Sequence, residues 1–231
     1  MKLLCWNCNG ALRHKLEPVL AAEADIMIIA ESEKDINCKE FNEQLWTGDK
    51  SFKGLSLISR HDSHLEADSI YSPAFRHILP GFLSCGQQKL RLWGVWATKT
   101  GNDSYNSYVV EAAKAFEYYS SVLGEDCLIG GDFNSSQRWL KHFKRSHNHA
   151  RLLEILAAHG LGSVYHSLKK EEQGYESEPT FYRSRDRNKP YHIDYIFAGH
   201  SLLNRITHFE IGPADLWGRY SDHLPLLMEW K

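Results

Sequence analysis

The chain has 231 residues, of which 42% are hydrophobic and 12% aromatic, and these fractions exclude a disordered or a fibrous protein. Its 27 Lys and Arg residues nearly balance its 29 Asp and Glu residues, so the formal charge of −2 excludes a general attraction to nucleic acid. We therefore expect one globular domain over residues 1–231, in which a polyanion must be bound by a local basic patch.

The first elements predicted along the chain are a strand, a helix and a second strand. Residues 2–6 form the first strand, whose period-two alternation assigns one face to Leu4, Trp6 and Cys8 and the other to Cys5, Asn7 and Asn9. Residues 11–24 have helical spacing, and Pro18 is expected to kink or split that helix. The continuous apolar run 26–30 predicts a buried strand with Glu31 at its carboxyl end.

The middle of the chain predicts further strands and two helices. Strands are expected at 54–59 and 89–98, with weaker signals at 67–72 and 76–84. A helical period over 105–123, closed by Gly124, predicts an amphipathic helix, and a second helix is expected at 149–159. Between them a short apolar strand at 126–130 precedes Asp132 and Asn134.

Strands predominate in the last quarter of the sequence. They are expected at 180–183, 191–198, 206–211 and 224–230, and the Glu- and Lys-rich segment 167–179 is expected to be an exposed loop. Strands and helices that alternate first and are then followed mainly by strands indicate a layered α/β protein.

Polar residues next to apolar runs form a second pattern. These are Asn7 and Asn9, Glu31, Asp132 and Asn134, Asp194, and the pair Asp222 and His223. Side chains from distant segments that meet at strand ends are how α/β enzymes assemble a site. Carboxylates bind hard divalent ions, amides hold phosphate oxygens, and an imidazole transfers protons. This combination indicates a hydrolase of phosphate esters.

Two local basic segments adjoin these residues. The first, 138–151, contains no acid and five cations, which are Arg138, Lys141, Lys144, Arg145 and Arg151. The second, 183–189, contains one acid, Asp186, and four cations, which are Arg183, Arg185, Arg187 and Lys189. Charged runs of this kind are usually solvated loops, but their position beside the polar motifs favours binding of a phosphate backbone.

Sequence features that bear on cellular location are few. No apolar signal segment opens the chain, no run of 18 apolar residues occurs, and the five cysteines are an odd number. A disulfide scaffold is therefore not expected, and we predict a cytoplasmic protein without membrane contact.

Five motifs together resemble the endonuclease/exonuclease/phosphatase superfamily, which includes exonuclease III, apurinic endonucleases and deoxyribonuclease I. They are residues 5–10 (CWNCNG), 30–31 (AE), 130–135 (GGDFNS), 192–197 (HIDYIF) and 221–225 (SDHLP), in that order. The resemblance implies an α/β fold of four α/β/β/α layers, with two packed mixed sheets flanked by helices. It also implies a Mg²⁺- or Mn²⁺-dependent phosphodiesterase or phosphatase.

Site roles follow from the resemblance position by position. It implies metal binding by Glu31, with Asn9 in place of a second acid and Asp222 as a further ligand. It implies that Asn7 and Asn134 orient the attacking water and the phosphate, and that Asp194 supports His223. Either Asp132 or His223 satisfies the role of base. Thr98 occupies a position where relatives often have His or Tyr, and Lys99 beside it is a possible substitute.

Three functional hypotheses follow. The first is a metal-dependent nuclease or phosphodiesterase that binds nucleic acid through the basic segments and acts as a monomer. The second is a phosphatase or phosphodiesterase of a small molecule, such as a nucleotide, a sugar phosphate or a lipid headgroup. The third is a phosphate-binding adaptor without catalysis, which the presence of Glu31, Asp132 and His223 argues against.

Overall fold

A computed structural model describes residues 1–98, 108–142 and 148–231, without the side chains of residues 140–142. Among these residues two sheets of six strands each pack face to face. In spatial order the first sheet contains β13 (Ile206–Ile211), β14 (Leu226–Trp230), β1 (Lys2–Asn7), β2 (Ile26–Ser32), β4 (Lys53–Ser59) and β3 (Gln44–Lys50). The second contains β5 (Ser63–Ala67), β6 (Ile78–Cys85), β7 (Gln88–Trp96), β8 (Cys127–Asp132), β12 (Asp194–Gly199) and β9 (Leu161–Ser163).

Each sheet has one parallel pair at its centre. In the first sheet β1 and β2 are parallel, and in the second sheet β7 and β8 are parallel, while the other strand pairs are antiparallel. The carboxyl ends of a parallel pair lie at the same edge of the sheet, where polar side chains following the strands meet. Asn7 and Glu31 belong to this edge of the first sheet, and Asp132 belongs to that of the second.

Three buried clusters define the layers. The largest, with Leu3, Ile28, Leu57, Leu92 and Ile196, contains residues of both sheets and fills the space between them. A second cluster joins the outer face of the second sheet to α2 (Val109–Tyr118) and α3 (His149–Ala158). A third joins the outer face of the first sheet to α1 (Leu16–Ala21) and α6 (Ala214–Trp217). The predicted four-layer α/β/β/α architecture is confirmed.

The predicted helices are present but shorter. The segment 11–24 divides into a 3-10 turn, Leu12–His14, and α1, so Pro18 lies in the first turn of a new helix, where its missing N–H is tolerated. The helix predicted at 105–123 begins at Val109 and is followed by a 3-10 turn at Ser120–Val122, while residues 99–107 lie outside the described part.

Some predicted boundaries were wrong. The segment 191–198 contains the end of β11 (Pro190–Tyr191) and most of β12, because β11 pairs with β10 (Phe181–Tyr182) in a separate hairpin. The strand expected at 67–72 was wrong, because β5 (Ser63–Ala67) ends where the prediction begins and the chain then turns, with Tyr71 N donating to Asp68 O. Strands β3 and β9 and the short helices α4 (Val164–Lys169), α5 (His200–Leu203) and α6 were not predicted, and α4 covers the start of the expected loop at 167–179.

No helix in the described ranges has both the length and the apolar character needed to cross a bilayer.

Candidate active site

Asp132 is the centre of a hydrogen-bond network that joins the two sheets. The amide of Asn7, at the end of β1, donates to Asp132 Oδ2 over 2.9 Å. Asn134 donates twice, from its backbone N–H to Oδ1 and from its Nδ2 to Oδ2, both over 2.8 Å. Asn134 Nδ2 also reaches Ala97 O, at 3.0 Å, which ties this residue to the end of β7. The carboxylate is therefore held in one orientation by both asparagines.

The backbone around these residues is unusual. Asn9, Glu31 and Asn134 have positive φ angles of 53°, 63° and 46°, a conformation that few residues other than glycine adopt. Such residues concentrate at functional sites because the surrounding structure must hold them there. Glu31 lies at the irregularity between Ala30 and Ser32 in the pairing of β2 with β4, so the register shift directs its side chain out of the regular alternation.

His223 lies between two carboxylates. Its Nδ1 is 3.0 Å from Asp194 Oδ2 and 3.1 Å from Oδ1, and its Nε2 is 3.9 Å from Asp132 Oδ2. Asp132 and Asp194 are direct cross-strand partners in β8 and β12, where two like charges repel. A protonated His223 relieves this repulsion. Thr180 Oγ1 completes the arrangement by donating to Asp194 Oδ2 over 2.7 Å.

Burial and neighbouring charge shift the pKa values of this group. Burial raises the pKa of Asp132 to about 7, although the charge of His223 and the bond from Asn7 oppose the change. Burial alone would lower the pKa of His223, but the carboxylates of Asp194 and Asp132 outweigh it and raise that pKa to about 9. Around neutral pH the imidazole is therefore a cation, while Asp132 exchanges a proton easily.

Glu31 forms an ion pair that the sequence did not predict. Lys53 Nζ, from β4, is 2.9 Å from Glu31 Oε2 and also lies 5.6 Å from the centre of the Trp96 ring. The pairing of β2 with β4 places Ser32 opposite Gly54, which brings Lys53 beside Glu31. No sequence motif marks Lys53, because its role depends on a pairing between antiparallel strands.

Two sets of residues can be compared as hosts for a divalent ion. Asp132, Asp194 and His223 have ligand atoms within 4.8 Å of one another. Their oxygens and Nδ1, however, are already bonded to Asn7, Asn134, Thr180 and each other. Among the described contacts, Glu31 instead binds only a lysine ammonium, so a cation already occupies its carboxylate. A magnesium ion needs one or two carboxylates and keeps several waters, which fits Glu31 with the neutral oxygen of Asn9.

The C-terminal motif is fixed by backbone contacts. Ser221 Oγ donates to Asn7 O over 2.8 Å and accepts the N–H of His223 over 3.0 Å. Tyr182 N donates to Asp222 O over 2.8 Å, and the Phe181 ring lies 4.5 Å from the His223 ring. Thr180 and Phe181 were missed as site residues because they act through contacts made only in the folded chain.

The other predicted site residues have varied surroundings. Asn9 is exposed, and its N–H bonds to Asn7 Oδ1, so the strand alternation does not extend to it. Asp222 is half-buried beside His223, and Thr98 accepts a bond from Tyr108 N. Arg138, Arg183 and Arg185 are exposed. Lys99, Lys144 and Arg145 lie outside the described residues, and Lys141 is described only by its backbone.

Solved structures with the same fold include several enzymes that act on DNA or phosphate esters. A 3′-5′ exonuclease (NExo) from Neisseria meningitidis is 17% identical with a TM-score of 0.71, covering 100% of both chains. The 3′ phosphatase NExo from Neisseria bound to a product DNA hairpin is 17% identical with a TM-score of 0.72, covering 100% of this chain and 99% of that one. An AP endonuclease from Archaeoglobus fulgidus is 18% identical with a TM-score of 0.72, covering 100% and 99%.

At these identities the solved structures establish the shared fold, and no curated protein matches the chain. The model of the Endonuclease/Exonuclease/phosphatase family matches residues 4–223, a range that begins in β1 and ends at His223. It therefore includes the whole second sheet, the first sheet apart from β14 and the start of β1, and every residue of the hydrogen-bond network around Asp132. The chain belongs to the Endonuclease/Exonuclease/phosphatase family.

Proposed function

We propose that residues 1–231 form one catalytic domain, a Mg²⁺- or Mn²⁺-dependent phosphodiesterase that cleaves DNA or another nucleic acid. The observation that carries the proposal is the buried Asp132–His223–Asp194 group, held by the amides of Asn7 and Asn134. Solved structures of the same fold are described as an exonuclease, a 3′ phosphatase with product DNA and an AP endonuclease, which supports this substrate class.

The proposed chemistry assigns the base and the acid by their environments. Asp132 accepts the proton of the attacking water, since Asn7 and Asn134 fix its orientation and its pKa of about 7 suits reversible proton transfer. Protonated His223, held by Asp194, faces the phosphate and stabilises the charge that develops on its oxygens. A divalent ion held by Glu31, Asn9 and Asp222 would neutralise the phosphate and lower the pKa of bound water.

In this proposal, exposed arginine and lysine side chains bind the phosphate backbone of the nucleic acid. Arg138, Arg183 and Arg185 are exposed, and Thr98 follows the end of β7 near Asn134. Lys99, Lys141, Lys144 and Arg145 remain candidates from the sequence. A monomeric state and a cytoplasmic location also remain predictions.

A metal-dependent hydrolysis screen tests the proposal. The substrates are single-stranded, double-stranded and abasic DNA, RNA and a chromogenic phosphodiester, each with Mg²⁺ or Mn²⁺ and with a chelator. Asp132→Asn is expected to lower kcat by about 10²- to 10⁴-fold, the usual contribution of a general base. Asp126→Asn is the matched control, because Asp126 is exposed and precedes the opposite end of β8. Absence of hydrolysis on every substrate with both metals would refute the proposal.

A small-molecule phosphatase is the second candidate, and the description of one solved structure as a 3′ phosphatase favours it. Neutralising Arg138, Arg183 and Arg185 together separates the two functions. A nucleic-acid enzyme then loses activity on DNA, whereas unchanged DNA hydrolysis would favour the small-molecule enzyme.

A further inference from the structure

A small cavity is lined in part by the C-terminal motif Ser221-Asp222-His223, through its first two residues. Its volume is about 160 Å³, and its lining includes Arg185, Arg187, Arg219, Ser221 and Asp222. Ser221 and Asp222 directly precede His223 in the chain, so the backbone that carries the imidazole continues from the lining of the cavity. We call this cavity the arginine pocket. A hydrogen bond from Tyr182 N to Asp222 O joins the two chain segments that line the pocket.

The arginine pocket has an excess of positive charge. Its guanidinium groups come from two separate segments, the turn at 183–187 and the residues after α6. Within the described residues Arg187 pairs with Asp215, at 3.0 Å, while no carboxylate lies within 4.0 Å of a charged nitrogen of Arg185 or Arg219. Asp215 and Asp222 also line the pocket, so the formal charge of its lining is +1. Among the described residues, the guanidinium groups of Arg185 and Arg219 have no ion-pair partner.

The turn that carries Arg185 is held in a strained conformation. Ser184 and Arg185 both have positive φ angles, of 56° and 58°, in the left-handed region that favours glycine. Asp186 stabilises the turn through an ion pair with Lys189 at 2.9 Å and a bond from Asn188 N at 3.0 Å.

Arg187 has a fixed position in the lining of the arginine pocket. Its guanidinium lies 5.0 Å from the centre of the Tyr182 ring, and Tyr182 lines the same pocket.

The size and chemistry of the pocket select its ligand. A cavity of about 160 Å³ is smaller than the roughly 300 Å³ at which pockets for drug-sized ligands begin, so it suits a single phosphate group rather than a nucleoside. Guanidinium groups bind phosphate oxygens in a bidentate manner. A phosphate in this pocket and a second one at His223 require a substrate with two linked phosphates.

Resting on the function proposed above, we infer that the arginine pocket binds the phosphate adjacent to the scissile one. The preferred substrate is then a polynucleotide, because a small phosphomonoester fills only one of the two positions. The structure thus assigns Arg219 to substrate binding, a role that no sequence pattern gave it, and places it in one pocket with Arg185 and Arg187 of the basic segment 183–189.

Binding experiments with neutral linkages test this inference without turnover. The Asp132→Asn protein is titrated with fluorescent oligonucleotides in which one methylphosphonate replaces each phosphate in turn. We expect about tenfold weaker binding when the linkage next to the cleavage position is neutral, and about tenfold weaker binding of the all-phosphate oligonucleotide after Arg219→Ala. When that linkage is already neutral, Arg219→Ala should cause no further loss of affinity. Arg219→Lys should restore only part of the affinity, since it lacks the bidentate geometry.

Arg205→Ala is the matched control. Arg205 is exposed and directly precedes Ile206, the first residue of β13, which pairs with Trp230 of β14. Trp230 lies beside the start of β1, whereas Asn7 is at the end of β1, so Arg205 and Asn7 lie at opposite ends of the sheet. This substitution should leave every affinity unchanged. The inference is overturned if Arg219→Ala weakens binding equally whichever linkage is neutral, or has no effect. It is also overturned if a mononucleotide displaces the oligonucleotide at equal concentration.

The two proposals fail in different ways. In one outcome the wild-type protein hydrolyses no substrate, while Arg219→Ala and the neutral linkage still show the expected coupling in binding. The catalytic proposal then fails and the phosphate site stands. If hydrolysis occurs without this coupling, the catalytic proposal stands and the arginine pocket has no role in substrate selection.

Discussion

Asp132 and His223 form a buried pair in which each side chain changes the proton affinity of the other. Catalysis as proposed requires Asp132 without its proton and His223 with one. Their pKa values of about 7 and about 9 leave a window between them in which both conditions hold. The pair is therefore most active where Asp132 has lost its proton and His223 has not.

The pH profile of kcat tests this assignment. The rate is expected to increase as pH rises through about 7, because Asp132 deprotonates, and to decrease through about 9, because His223 loses its proton. Asp194→Asn removes the carboxylate that raises the pKa of His223, so the alkaline decrease should move to lower pH. An alkaline decrease that does not move in this variant would contradict the role of His223.

Lys53 is expected to compete with a divalent ion for Glu31. Its ammonium lies 2.9 Å from the carboxylate, but the lysine side chain is 43% exposed, so the pair contributes no more than about 1 kcal/mol. Lys53→Met should tighten Mn²⁺ binding by about threefold, measured by paramagnetic resonance of the free ion. Lys50→Met is the control, since Lys50 lies in the same hairpin beside Phe52. Weaker Mn²⁺ binding in Lys53→Met would show that the ammonium assists the ion.

At the scale of elements, β8 delivers Asp132 to the site and depends on one glycine. Gly131 has a φ of 150°, and a Cβ placed there would lie 1.9 Å from Val95 O of the parallel neighbour β7. The backbones of β7 and β8 therefore approach more closely than any side chain allows. This close approach fixes the position of the β8 backbone next to β7, and with it the position of Asp132 at the end of β8.

Gly131→Ala is expected to destabilise the protein by about 3 kcal/mol or more, because two strands must separate or the backbone must be strained. The measurement is the free energy of unfolding in urea. Gly124→Ala is the control, since its Cβ would make only an ordinary contact of 3.5 Å with Asp126 Oδ1. Similar stabilities of the two variants would show that β7 and β8 adjust without cost.

At the scale of the whole molecule, the core is independent of the proposed metal. The largest buried cluster lies between the sheets, and its residues, such as Leu57, Leu92 and Ile196, are apolar. Hydrophobic burial therefore stabilises the fold, while the polar edge of the sheets is available for chemistry.

Chelation should accordingly abolish hydrolysis while the fold persists. A metal at ten times its Kd adds about 1.4 kcal/mol by mass action, which corresponds to a Tm shift of roughly 3–6 °C for a chain of this length. Thermal unfolding followed by circular dichroism, with and without chelator, measures the shift. Unfolding on chelation at 25 °C would contradict this division between core and site.

The sequence alone determined the family motifs, the main strands and the α/β class, because these depend on local patterns. Alternating and continuous apolar runs specified β1 and β2, and the polar residues after them identified Asn7 and Glu31 as site candidates. The contact between Asp132 and His223 could be expected only from the resemblance, since 90 residues lie between them in the sequence.

The remaining contacts of the site depend on long-range packing. Lys53 reaches Glu31 through an antiparallel pairing, and Thr180 reaches Asp194 through the path of β10 and β12. The arginine pocket combines residues from a strained turn and from the end of α6. None of these contacts leaves a periodic or local signal, because each depends on long-range packing of segments whose own sequences are compatible with many partners.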